Sequence, residues 1–463
     1  MEEVMMQSNN SSYLGESKIK GLLLKFSIPS ILSLLVSALY NIVDQIFIGQ
    51  GVGYLGNAAT NVVYPITVIG LGFALLLGDG CASKLSISLG AGDKESGPKT
   101  IGNGIIAMTI ISLLIVLFGF LFTDQILYLF GATDTCLDYA RDYFRIIVCG
   151  MPFYMLSSGL ASVIRADGSP KYSMLTMVVG AIINIICDPI AIFALNLGVS
   201  GAAFATILGQ FVSFVMAIAY FFHTKSFKFN KKSFLFNGRL LFSAVLLGIS
   251  SFITQISIVI VCAITNNLMV KYGVNSEYGS DIPLSVIGIV MKVFAIVISI
   301  IVGIAVGGQP IIGFNYGAKK YDRVLKTFKI IIISCTIIGL IATLIFELFP
   351  EVIINIFGSE NEAYTKFALL TFRIWLSCIL FTCLQKASCI FLQSIGKPVQ
   401  AILLSLSRDT IFLIPGVIIL PIYFGIEGIL CAAPIADVLS IIVTSIIVVI
   451  ECKKIKKEEL KIN

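Results

Sequence analysis

Residues 165–171 read RADGSPK and residues 393–398 read QSIGKP. Gly168 aligns with Gly396 and Pro170 with Pro398, each at a shift of 228 (396 − 168 and 398 − 170). The register holds far from that turn. Arg145 in YFRIIV meets Arg373 in TFRIWL at 228, Gly131 meets Gly358 at 227, and Gly198 and Gly201 meet Gly425 and Gly428 at 227. The shift is about half of the 463 residues, so the chain is two similar halves in tandem.

Composition sets the solvent. A soluble domain carries roughly 25% charged residues. Here the charged fraction is 13%, the hydrophobic fraction 57% and the mean hydropathy +0.98. Such a chain cannot cover a water-facing surface, and an all-α integral membrane protein is expected. A tandem repeat in a chain this apolar points to a transporter, with its site within or between the halves. The net charge of +6 does not signal a nucleic-acid partner, because the bases fall in loops of one parity. The eleven cysteines lie mostly in apolar runs, with no CxxC pair, and read as small buried hydrophobes. The polar, acidic start MEEVMMQSNN has no basic region and no A-x-A site, so no cleaved signal peptide is expected. With one His and no HExxH, GxSxG or GxxxxGK[ST] motif, neither an enzyme nor nucleotide hydrolysis is expected. The energy source is then an ion gradient, without a cofactor.

A span needs about 20 apolar residues. Twelve candidates follow: 26–48, 58–82, 101–122, 144–164, 173–194, 200–222, 241–269, 284–306, 328–349, 371–392, 400–420 and 428–451. The bases gather in alternate gaps. Lys18, Lys20 and Lys25 precede the first span, and Lys94, Lys99, Arg165 and Lys171 fill the second and fourth loops. Lys225, Lys228, Lys231, Lys232 and Arg239 fill the sixth, and Lys319, Lys320, Arg323, Lys326 and Lys397 the eighth and tenth. The remaining loops are poor in base and hold acids such as Asp124, Asp134, Asp138, Glu277, Asp281, Glu351, Glu360 and Glu362. The positive-inside rule then puts both termini in the cytoplasm of a cell-membrane protein. Six spans per half start both halves on the same face, a parallel repeat. The expected division is a tail over 1–25, an N-lobe over 26–222, a linker over 223–240, a C-lobe over 241–451 and a tail over 452–463. Two complete halves in one chain allow a monomer to work.

Charges in hydrocarbon are costly and mark candidate sites. Asp44 lies near the outer end of span 1, and Asp188 near that of span 5. Asn184 is one turn before Asp188, on the same face. Pro189 lacks a backbone donor and is expected to kink the helix, freeing a carbonyl near Asn184 or Ile185. Thr206 lies about six residues into span 6. At 1.5 Å per residue, Asp44, Asp188 and Thr206 sit roughly 6–9 Å below the outer boundary. A partly dry acid there could exchange a proton, or hold Na⁺ with oxygen neighbours. The plain alternative, an acid paired with a base for packing, is weakened because spans 1 to 6 offer no Lys or Arg at that depth. At a shift of 227, Asn184, Asp188 and Thr206 fall on Ile411, Pro415 and Ala433, and Asp44 falls near Met269, so the second half does not repeat these groups. The first half is therefore expected to carry the coupling ion, while both halves line a substrate cavity. Tyr40, Asn41, Gln255, Lys292, Arg408 and Asp409 are the cavity candidates; Lys386, within span 10, is another base that lines a cavity or snorkels. Arg408 and Asp409 are adjacent, so they point to different faces and need separate partners. Asp79 reads as interfacial, His223 as solvated and Trp375 as packed in core or lipid.

At these residues the chain resembles the multidrug and toxic compound extrusion (MATE) family. The matching pieces are VDQIFIG in span 1, LGAGDK after span 2, NIICDPI in span 5, GVSGAAFAT entering span 6, GQPIIGFNYGAKK after span 8 and FLQSIGKP after span 10. They cover nearly the whole chain and are specific in this order. The resemblance is to the family's branch of bacterial drug exporters. It implies two six-helix bundles in a V, rocking between two open states, and export of cationic amphiphiles driven by H⁺ or Na⁺ entry. It implies that Asp44, Asn184, Asp188 and Thr206 form the N-lobe cation site, which would ligate the metal ion if Na⁺ is the coupling ion. Another branch uses two acids on spans 7 and 10, and here span 7 has Gln255 and TFRIWLSCILF has no acid. The competing reading is a flippase for a lipid-linked oligosaccharide, which usually goes with extra helices and a more basic cavity.

Overall fold

The computed structural model describes residues 13–279, 281–357 and 362–462. Gly358, Glu360 and the MEEVMMQSNN start lie outside the described residues. The described chain is helical, and its crossing helices are α1 (Ile19–Gly51), α2 (Tyr54–Gly90), α3 (Ser96–Leu121), α4 (Leu137–Ala166) and α5 (Pro170–Pro189). They continue with α6 (Gly198–Tyr220), α7 (Gly238–Gly273), α8 (Asp281–Gly317) and α9 (Tyr321–Leu348). Several run longer than the apolar runs because polar first and last turns extend them past the hydrocarbon.

The last three crossings need more care. The tenth was expected as one run, 371–392. It is two helices, Glu362–Trp375 and Ile379–Ser394, bent by 46°, and together they are α10. The stretch Pro398–Lys461 is unbroken by length but holds 64 residues. At 1.5 Å per residue it would be roughly three times the thickness of a hydrocarbon core. Gly425 breaks it, with φ of 59° and ψ of −141°. The two arms then fold back on each other: Arg408 bonds Asp437, Gly416 faces Ala432, and Gly428 sits against the Leu420 carbonyl. Partners that rise in number on one arm fall on the other, as an antiparallel hairpin requires. The arms are α11 (398–424) and α12 (426–462), which brings the crossings among the described residues to twelve.

The fifth and sixth helices make the matching hairpin of the first half. Pro189 ends α5, since it has no N–H to give and its ring displaces the carbonyl four residues back. The chain continues as a π-turn, Ile190–Ala194, and reverses through Asn196 (φ 53°) and Gly198 (φ 57°). Gly180 and Gly209 let α5 and α6 touch, and a Cβ on Gly209 would lie 2.4 Å from the Gly180 carbonyl oxygen.

The lobes meet through α1 against α8 and α2 against α7. Glycine sets this interface, as expected where helices must approach without a hydrophobic driving force. A Cβ on Gly248 would lie 1.8 Å from the Leu76 carbonyl oxygen, and one on Gly80 2.1 Å from that of Ala244. Gly90 sits on the Phe314 carbonyl and Gly317 on that of Ile87, a reciprocal pair at a shift of 227 (317 − 90 and 314 − 87). All these contacts lie in the halves of the helices nearest the chain termini. The cleft between the lobes lies beyond them, toward the opposite face.

Candidate functional site

Three helices of the first half converge on one buried cluster. Asp44 comes from α1, Asn184 and Asp188 from α5, and Thr206 from α6. The Asn184 amide donates to Asp188 Oδ1 at 3.1 Å and to Thr206 Oγ1 at 3.3 Å. The Asp44 and Asp188 carboxyl groups lie against each other. Asp188 is 0% exposed, Asn184 2% and Asp44 8%. Asp44 Oδ1, Asn184 Oδ1 and Asp188 Oδ2 are buried and receive no donor from the described residues, so that only a proton shared between the two acids would pair the carboxyl oxygens. Buried acceptors are nearly always paired, so three orphans in one cluster need an explanation. Among the described residues no base neutralises either acid. Two contacting acids amid spare oxygens suit a proton or a small monovalent cation, since such ligands are hard oxygens.

A cavity of about 160 Å³ opens beside the cluster, lined by Tyr40, Asn41, Asp44, Tyr143, Thr206 and Gln255 among others. A larger one, about 420 Å³, shares Tyr40, Asn41 and Gln255 and runs from Asn184 and Thr206 to Asp79 and Arg165. Its wall is rich in tyrosine, serine and amide groups. Sequence reasoning passed over Tyr64, Tyr143 and Tyr154, because a tyrosine in an apolar run gives no sign of whether it faces lipid or a cavity.

At the floor of the larger cavity Asp79 is buried, not interfacial as the sequence suggested. Ser162 of the N-lobe donates to its Oδ1 at 2.7 Å, and Ser251 of the C-lobe to its Oδ2 at 2.8 Å. The carboxylate therefore joins the lobes. Gln309 of α8 adds a second link to Ser83 of α2 at 2.7 Å.

The remaining candidates lie elsewhere. Lys292 is exposed on α8, outside both cavity linings. Arg408 and Asp409 line neither cavity; each has the separate partner expected, Asp437 for Arg408 and Lys386 for Asp409, and they also meet each other, Arg408 Nη1 donating to Asp409 Oδ1 at 2.6 Å. The physical reason is a π-turn at Ser407–Leu413, which alters the angle between adjacent side chains. Both belong to a buried C-lobe network with Lys386, Thr382 and Asp437. Asp437 went unnoticed in the sequence although it is the acid in the middle of the last apolar run. His223 is exposed in a short 3₁₀ turn, and Trp375 is buried. The free cysteines are mostly buried or half-buried, with Cys149 exposed.

The MatE family model matches residues 29–190 and 251–419. A curated relative, the multidrug export protein MepA of Staphylococcus haemolyticus (strain JCSC1435), is 26% identical over 93% of this chain and 94% of its own. Among solved structures, the MATE multidrug transporter DinF-BH, determined as a complex, is 34% identical, with a TM-score of 0.86 over 96% of its chain and 93% of this one. An outward-facing MATE transporter of the MOP superfamily has a TM-score of 0.88 at 22% identity, over 96% of this chain and 99% of its own.

Proposed function

The chain belongs to the MatE family, and from that premise we propose that it is an ion-coupled antiporter that exports organic cations and other toxic amphiphiles. The Asp44–Asn184–Asp188–Thr206 cluster is its cation site, and H⁺ or Na⁺ is the coupling ion. The observation that carries this reading is the contacting acid pair with three orphan oxygens beside a cavity. A proton or Na⁺ between the acids relieves their repulsion. An organic cation in the cavity draws on the same negative charge. The two ligands therefore oppose each other, and the coupling is reciprocal. Outward opening with the termini in the cytoplasm would place this conformation at the stage of drug release and ion capture.

MepA is named a multidrug export protein, which supports the substrate class. The scarcity of bases in the cavities argues against the flippase for a lipid-linked oligosaccharide, which goes with a more basic cavity. Of the residues lining the two cavities, Arg165 is the one base, and it donates to Ser162 beside Asp79.

Reconstituted protein tests the proposal. Ethidium efflux from proteoliposomes is driven by an imposed pH gradient or an imposed Na⁺ gradient, for wild type and Asp188→Asn. Efflux under one gradient, lost in a variant that keeps its melting temperature, is the expected result. Wild-type efflux from Asp188→Asn sinks the site assignment.

A further inference from the structure

The α11–α12 hairpin is the repeat of α5–α6. At a shift of 227 the Asn184–Thr206 pair corresponds to Ile411 and Ala433 (411 − 184 and 433 − 206), both apolar. One helical turn nearer the termini, the same two helices are joined again by Arg408 (411 − 3) and Asp437 (433 + 4). Because the helices are antiparallel, minus three on one and plus four on the other are the same step through the membrane. The C-lobe thus fills the place of the N-lobe cluster, one turn deeper, with different chemistry.

There, every carboxylate meets a base. Arg408 Nε donates to Asp437 Oδ1 at 2.6 Å, and Nη1 to Asp409 Oδ1 at 2.6 Å. Lys386 Nζ donates to Asp409 Oδ2 at 2.9 Å, and Thr382 Oγ1 to Asp437 Oδ1 at 2.8 Å. The guanidinium carbon stands 5.5 Å from the Phe294 ring centre, a cation–π distance. Arg408 is 6% exposed, Asp409 4% and Asp437 1%. The N-lobe cluster has two acids, no base and three orphan oxygens; the C-lobe cluster has two acids, two bases and both Asp409 oxygens bonded.

We propose that the C-lobe contains a monovalent-cation site, formed by Asp437, Asp409 and Thr382, whose permanent occupant is the guanidinium of Arg408. A guanidinium carries one positive charge and a planar fork of donors that matches carboxylate oxygens. Tethered to the chain it is present at a high effective concentration, so no ion from solution competes. The lobe is loaded with its cation at synthesis. This inference does not rest on the N-lobe assignment, since it concerns different residues and a different occupant.

Cation rescue tests it. The experiment is done in an Asp188→Asn background, so that the N-lobe cluster adds no cation response. Arg408→Ala leaves a buried acid without its base and an emptied volume the size of the guanidinium. Melting temperature is then read in detergent against millimolar guanidinium chloride or NaCl, with choline chloride as control. The expected result is a saturable rise of roughly 5 °C in Arg408→Ala, since a ligand at a hundred times its Kd stabilises appreciably. Recovery of folded Arg408→Ala only when guanidinium is present through purification supports the same conclusion. The Arg408→Ala/Asp437→Asn double variant, with its charge rebalanced, should show no rise. A saturable rise of equal size in the double variant, or in protein with Arg408 intact, overturns the proposal. So does folded Arg408→Ala with no cation response, or failure to recover it under either condition.

Discussion

The same side chain has opposite fates in this protein, depending on what stands within hydrogen-bond reach of it. Asp44 and Asp188 face each other with spare oxygens and no base, whereas Asp409 has both oxygens bonded to cations. A buried carboxylate without a counter-charge is costly, so the first pair is where an exchangeable cation has most to gain. Asn184 is the residue that keeps that pair open, because its amide satisfies one Asp188 oxygen and Thr206 while leaving its own Oδ1 free. Asn184→Leu should keep the fold and lower the apparent affinity for the driving ion by about tenfold, the cost of roughly one hydrogen bond to a charged group. An unchanged ion dependence of efflux would remove Asn184 from the site. Outside the membrane, Arg141 holds both oxygens of Asp124, at 2.9 and 3.1 Å. That hydrogen-bonded pair keeps the Asp124 carboxyl below its ordinary range. A carboxyl lowered on folding adds stability above its unfolded value of about 4, and that stability is lost as pH falls through the folded value. Asp124→Asn should therefore melt slightly below wild type at neutral pH, with the gap closing below about pH 4; a gap that persists well below that pH would assign the effect to packing. The gap stays small because the pair is exposed.

Helices α5 and α11 both leave regular α-geometry near charged groups, and a proline stands at or close to each departure. In α5 the cause is written in the sequence: Pro189 cannot donate, and a π-turn follows at once. In α11 Pro415 cannot donate to the carbonyl of Ile411 inside the π-turn Ser407–Leu413, and the turn also accompanies the Arg408–Asp437 and Arg408–Asp409 bonds. The departure at Pro189 was legible beforehand, and the contact between Arg408 and Asp409 was not. Regular helical periodicity separates neighbours, and a proline signals a break without giving the angle at which the adjacent side chains then stand. Pro189→Ala restores a donor and should straighten α5. The expected outcome is a folded protein whose export is slowed about tenfold, as one open state gains about 1.4 kcal/mol over the other. Wild-type export from that variant would make the π-turn incidental. The glycines of α2, α7 and α8 make a stricter demand. A Cβ on Gly248 would overlap the Leu76 carbonyl, so Gly248→Ala must push the lobes apart on the terminal side. Spin labels placed on the two lobes there should report a longer distance with each lobe intact; an unmoved distance would mean that α7 yields locally.

The whole molecule is two bundles whose polar links concentrate where they touch. Asp79 accepts from Ser162 in its own lobe and from Ser251 across the interface, and Gln309 reaches Ser83. The proposed alternating access would require these bonds to break. Asp79→Ala removes the shared acceptor and should raise the population open to the terminal face by about tenfold. An unchanged distance distribution between lobe labels would show that the glycine contacts alone hold this state. The sequence by itself pointed to the solvent, the helix count, the tandem duplication, a break at Pro189 and three polar residues at one depth with Asn184 a turn away. These follow from apolar run length, from loop charge and from the cost of polar groups in hydrocarbon, all of which act along the chain. Only the tertiary structure decided which polar groups meet. It turned the expected tenth span into a bent pair, buried Asp79 between the lobes and drew Arg408, Asp409 and Asp437 into one network. Pairing across helices depends on rotation and approach in three dimensions, and those are set by packing that no single helix encodes.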